Sequence, residues 1–113
     1  MTVLVSQLFG PTVLTASAAT IYTMPTTPVG ITLSRGRARF TNTDTVQHAV
    51  TSYAIQFGGT ATTGTCFMNA EVVMPNTHLD VDLPVMTDGG FFQSFADAAG
   101  HITMFQLDGI LFS

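Results

Sequence analysis

The chain has 113 residues, with three Arg, no Lys, six Asp and one Glu, for a formal net charge of −4. Only 9% of residues are charged, against about 25% in an ordinary soluble domain, while 46% are hydrophobic and nineteen are Thr. Too little Lys and Arg is present to neutralise a nucleic-acid backbone, too little Glu and Lys to coat helical bundles, and nine Phe argue against disorder.

Taken in chain order, the pattern is one of short alternating runs between turn clusters, and no window sustains the 3.6-residue period of a helix. Strands are expected over 3–8, closed by Gly10-Pro11, and over 19–24, closed by Pro25-Thr26-Thr27-Pro28. A long strand over 30–42 contains Gly36, which marks a bulge or a close backbone approach. The next, 46–57, puts Tyr53, Ile55 and Phe57 on one parity, and Gly58-Gly59 begins a turn that runs to Gly64. Over 65–74 the alternation gathers Cys66, Met68, Ala70, Val72 and Met74 on one face and Asn69 and Glu71 on the other.

After Pro75-Asn76, the run 78–83 points Leu79, Val81 and Leu83 inward and Asp80 and Asp82 outward. Asp88-Gly89-Gly90 is a turn before the strand 91–96. The last strand, 101–112, carries Thr103, Phe105 and Leu107 on one parity, and its apolar positions switch to Ile110 and Phe112 across Asp108-Gly109, as at a β-bulge. About eight strands in one domain, 1–113, predict an all-β chain: a single small β-sandwich of jelly-roll type.

The lone Cys66 allows no internal disulfide and reads as a buried apolar thiol. Ala16-Ser17-Ala18 has the look of a cleavage site, yet no Lys or Arg precedes it and Gly10-Pro11 interrupts the apolar run, so no signal peptide is expected. No run is apolar enough for a membrane span, and the chain reads as cytosolic when made.

Three segments carry the candidate chemistry. Arg35, Arg37 and Arg39 share one strand face, opposite Gly36, Ala38 and Phe40. They form either a solvated face paired with Asp80 and Asp82 on a neighbouring strand, or a basic stripe that docks on an acidic protein surface. Asp80 and Asp82 could in principle serve glycoside chemistry or hold a hard cation, but no ligand loop accompanies them, and a solvated face or an Arg partner is the expectation. Of Phe91 and Phe92, one must face outward unless a second layer or a second subunit covers it.

His48, His78 and His101 fall in separate runs without His-x-x-x-His spacing, and are expected in surface or cross-strand hydrogen bonds. Tyr22 and Tyr53 sit in core-like patterns and Trp is absent, which disfavours a sugar-stacking site. With no nucleophile elbow and no phosphate-cradling loop, neither catalytic residues nor a cofactor or metal site is expected.

Several segments together resemble a family of small tailed-bacteriophage virion proteins. They are Leu8-Phe9-Gly10-Pro11, the run from Ala16 to Pro25, Arg37-Ala38-Arg39-Phe40-Thr41-Asn42-Thr43, Tyr53-Ala54-Ile55, Gly58-Gly59-Thr60-Ala61, and Phe95-Ala96-Asp97-Ala98-Ala99-Gly100 leading into Asp108-Gly109-Ile110. The segments around His78–Leu83 and Met86–Phe92 depart from the pattern, which points to partner-specific contacts there. The resemblance implies a β-sandwich virion component, either a capsid decoration or cement protein that bridges capsomers, or a tail-, collar- or fibre-associated module. Its expected partners are the major capsid protein or other virion proteins and further copies of itself, as dimer or trimer. Neither nucleic acid nor membrane is an expected partner, and the expected location is the virion, assembled in the host cytoplasm.

Overall fold

The computed structural model describes residues 3–26 and 29–112, residues 3–9 as backbone; Thr27 and Pro28 of the expected turn lie outside the described residues. Gly, Pro and Thr cut every apolar run before a helix could nucleate. The described residues accordingly form ten strands and a single 3₁₀ turn, Thr63–Thr65. The strands are β1 (Val3–Phe9), β2 (Thr12–Val13), β3 (Ala19–Thr23), β4 (Thr32–Asn42), β5 (His48–Ile55), β6 (Cys66–Val73), β7 (His78–Asp82), β8 (Met86–Thr87), β9 (Phe91–Ala96) and β10 (Ile102–Phe112). Among the described residues no helix is long and apolar enough to cross a membrane.

One sheet runs β1-β10-β4-β7, with the two-residue β2 and β8 attached to β10 and β4; the other runs β3-β9-β5-β6. All pairings are antiparallel. With the two short strands set aside, eight strands remain. The first sheet takes the first, eighth, third and sixth of these, and the second sheet takes the second, seventh, fourth and fifth. That order is the jelly roll, as the strand spacing predicts. Between the sheets lie Leu33, Ala38 and Phe40 of β4, Val50 of β5, Phe92 of β9, and Ile102, Met104 and Leu107 of β10. A side chain such as Phe40 or Phe92, buried in full, contributes about 1.5–3 kcal/mol.

Of the register shifts among the described residues, three set which residues of β4, β10 and β6 face out. On β4, Asp108 pairs with Arg37 but Ile110 pairs with Ser34, so Arg35 and Gly36 together oppose Gly109. Arg35 there takes φ +53°. Gly36 and Gly109 face each other because neither tolerates a side chain. A Cβ on Gly109 would lie 2.6 Å from Leu33 Cδ1 and 3.1 Å from Gly36 Cα, and one on Gly36 would lie 3.1 Å from Leu83 Cβ. The close approach expected at Gly36 is therefore present, and the Leu83 amide donates to the Gly36 carbonyl at 2.8 Å.

On β10 the parity switch falls earlier than the sequence pattern places it. Met104 pairs with Phe40 and Gln106 with Arg39, leaving Phe105 as the extra residue. The core therefore takes Ile102 and Met104, then Leu107 and Leu111, while Phe105 is exposed and Ile110 and Phe112 are half-buried.

On β6 the single apolar face expected over 65–74 is broken by a bulge at Asn69-Ala70, where Ala70 adopts φ +50°. Met68 and Val73 reach the core, and Val72 and Met74 are exposed instead. The bulge amide of Ala70 donates to Thr51 Oγ1 at 3.1 Å, so a β-turn-like kink leaves no orphaned donor. Cys66 is half-buried, with its thiol directed at the Met68 carbonyl.

Gly109→Ala is expected to destabilise the fold by about 1–3 kcal/mol through overpacking of the β4–β10 contact, measured by urea denaturation. Gly64→Ala, whose Cβ would meet nothing nearer than Thr62 Oγ1 at 3.6 Å, is the control and should leave the midpoint in place.

Candidate functional site

β4 presents Arg37 and Arg39 to solvent and buries Gly36, Ala38 and Phe40, as strand alternation dictates, while Arg35 is turned out at the bulge. Register then sets their neighbours. Arg39 lies opposite Asp80 and Arg37 opposite Asp82 on β7, while on the other side Arg37 lies opposite Asp108 of β10. Arg39 closes a two-pronged ion pair, Nε to Asp80 Oδ1 at 2.7 Å and Nη2 to Oδ2 at 3.0 Å. That hydrogen bond first, and the guanidinium charge with it, holds the Asp80 carboxyl below its usual 3.8 and raises the Arg39 guanidinium in turn. Asp108 is engaged by Gln106, whose Nε2 donates to Oδ2 at 2.8 Å. Among the described residues Arg35 and Arg37 close no ion pair.

The stripe is therefore not a free basic field. Arg37 and Arg39 meet three Asp (Asp80, Asp82 and Asp108) on one sheet face, with Asp80 and Asp82 outward as expected. The β10 bulge adds an apolar element by turning Phe105 out, where it is 51% exposed. Arg37, Arg39, Asp80, Phe105, Gln106 and Asp108 line one shallow depression of about 200 Å³.

The two phenylalanines separate. Phe92 is fully buried in the core, edge-on to Phe67 at 6.1 Å, which removes it from the candidate interface. The domain itself covers it. Phe91 is half-buried on the opposite side of its sheet. On that outer side Tyr53 stacks on Phe95 at 6.3 Å, so Tyr53 is a surface-side aromatic and not the core residue its pattern suggested. Tyr22 does pack against the core, and burial raises its hydroxyl pKa.

At one end of the sandwich the 43–47 and 97–101 connections meet. Buried Asn42 organises them: its Nδ2 donates to the carbonyls of Val46 and Val73 at 2.9 and 3.0 Å, and its Oδ1 accepts from the Asp44 amide at 2.9 Å. Within that frame His48, buried, bonds Asp97 Oδ1 through Nδ1 at 2.7 Å and Asp44 Oδ2 through Nε2 at 2.9 Å. Only an imidazolium donates from both ring nitrogens. The bonds to Asp44 and then Asp97 accordingly raise His48 above its ordinary 6.5, and the His48 bond lowers Asp44. The His101 ring lies parallel to that of His48, centroids 4.8 Å apart, with Nδ1 3.4 Å from Asp44 Oδ2. His78 stands apart beside Asp80. Sequence spacing hides this cluster because Asp44 and His48, from the β4–β5 connection and the start of β5, meet Asp97 and His101 of the β9–β10 connection only through the jelly-roll connectivity.

No protein-family model and no curated protein matches the sequence. Among solved structures, a chain in the structure of infectious bursal disease virus, Gx strain, is similar over 97% of the present chain, at 14% identity and a TM-score of 0.46. The present chain spans 30% of that chain's length.

By nuclear magnetic resonance the Asp80 carboxyl should titrate below 3.8, and Arg39→Ala should move the midpoint back up toward that value. A midpoint indifferent to the substitution would mean that the pair does not form in solution.

Proposed function

We propose that the chain is a non-enzymatic structural protein of a tailed-phage virion, serving as a capsid decoration or cement protein that bridges capsomers. The observation that carries this reading is the outer face of the β1-β10-β4-β7 sheet. There an exposed Phe105 sits beside Arg37, Arg39, Asp80, Gln106 and Asp108. An aromatic centre within a rim of arginines and carboxylates is the composition of a protein-binding surface. Matched charges of both signs suit a partner of mixed charge and not a polyanion. The segmental resemblance to small phage virion proteins and the sparse surface charge support the same reading, because a subunit packed into a repeating assembly has less need of its own solubilising charge.

In this role the sandwich self-associates as a dimer or trimer and lays the face on the major capsid protein or another virion protein. Buried area repeated over many copies then holds the shell. Arg37, flanked by Asp82 and Asp108 but closing no ion pair among the described residues, sets register and association rate more than affinity.

Arg37→Glu is expected to lower occupancy on purified particles several-fold while the isolated protein keeps its far-ultraviolet circular dichroism. Quantitative mass analysis of virions, heads and tails separated, should find hundreds of copies on heads. A handful of copies confined to tails would transfer the protein to a collar, tail or fibre role, and unchanged occupancy of Arg37→Glu would remove the face from the mechanism.

A further inference from the structure

The loop end holds a donor set that the proposed docking face does not use. Asp44 Oδ2 faces two imidazoles, 2.9 Å from His48 Nε2 and 3.4 Å from His101 Nδ1. The three ligand atoms all lie within 4.8 Å of one another. Zinc bonds of about 2.0–2.1 Å to nitrogen and oxygen place tetrahedral ligand atoms roughly 3.3 Å apart, close to both separations. The set mixes two imidazoles with one carboxylate, a combination suited to a borderline-soft cation and less to Ca²⁺ or Mg²⁺, which take oxygen ligands.

Two further features mark the set as built. The far nitrogen of His48 is held by Asp97 Oδ1 at 2.7 Å. A carboxylate in that position fixes the ring and leaves Nε2 as the ligating atom once its proton departs. The frame is also rigid: Asn42 anchors the Asp44 amide, and the Thr43 amide donates to the His101 carbonyl at 3.1 Å, so the two loops are already tied through their backbones. Charge points the same way: among the described residues neither Asp44 nor Asp97 has an arginine partner.

We propose that Asp44, His48 and His101 form a binding site for a divalent transition cation of the zinc class, with Asp97 as the positioning residue for His48. The fourth position faces solvent on the side where His101 and Asp97 are half-exposed, at 44% and 49%. His101, being exposed to that degree, has room to turn its Nδ1 from the stacked arrangement onto the ion. Bound there, the ion joins the connection between β4 and β5 to that between β9 and β10, and so clamps the two sheets together at one end.

The test uses the full chain, freed of metal by a chelator and titrated with Co²⁺ as an optical probe, then with Zn²⁺ as competitor. The expected result is one Co²⁺ per chain, with visible absorption bands of a four-coordinate ion that Zn²⁺ abolishes. His101→Ala and Asp44→Asn should weaken binding by about tenfold or more, and Asp97→Asn by about 10–100-fold. His78→Ala, outside the cluster, should bind as the parent does. Zn²⁺ should also raise the Tm of the parent and not that of His101→Ala, a variant that loses only a half-exposed side chain and so keeps its fold. No saturation below about 1 mM, or binding undiminished in both His101→Ala and Asp44→Asn, would overturn the assignment.

Discussion

The pairing of β4 with β10 is the constraint on which the rest of the molecule depends. These two eleven-residue strands lie side by side at the centre of one sheet, and they can do so only where Gly36 and Gly109 let the backbones close. Their register, interrupted once at Arg35-Gly36 and once at Phe105, sends Leu33, Ala38, Phe40, Met104 and Leu107 into the core and Arg37, Arg39 and Phe105 out. The same two strands end and begin at the loop cluster: β4 delivers Asn42 and the turn to Asp44, and β10 starts just past His101. One pairing thus sets the outer face and the loop end together.

The two regions differ in what holds them. On the outer face the charges are exposed, the Arg39–Asp80 pair is screened by water, and its geometry serves orientation more than stability. At the loop end the imidazole of His48 is buried between two carboxylates and every bond is short, so loss of one partner strands the others. A surface that binds a partner can be assembled from the first kind of contact. A tie between two sheets needs the second.

Much of this was legible in the sequence. Alternation between Gly and Pro turns marked all eight principal strands, since a half-buried strand must alternate, and their spacing pointed to the jelly roll. The Arg face and its Asp80 and Asp82 neighbours were legible because strand parity is fixed once a strand is recognised. The bulges at Asn69-Ala70 and Phe105 were not, because one added residue leaves composition unchanged and Ala70 reaches positive φ without a glycine to announce it. Each bulge reverses the parity beyond it, which is why Val72, Met74 and Phe105 occupy faces opposite to those that uninterrupted alternation predicts. Phe92 and Phe91 were separable only once β9 was seen to be the inner neighbour of β5. The His48–Asp44–Asp97–His101 cluster was invisible for a different reason: its members meet through topology, and no local spacing encodes that.

The β4–β10 register turns Phe105 outward, and Phe105 is the residue proposed to meet another protein. Hydroxyl-radical footprinting of Phe105, in the free protein and on assembled particles, tests that contact most directly. Phe105 should oxidise readily in the free chain, where it stands exposed, and be strongly protected on the particle. Equal oxidation in both states would contradict it.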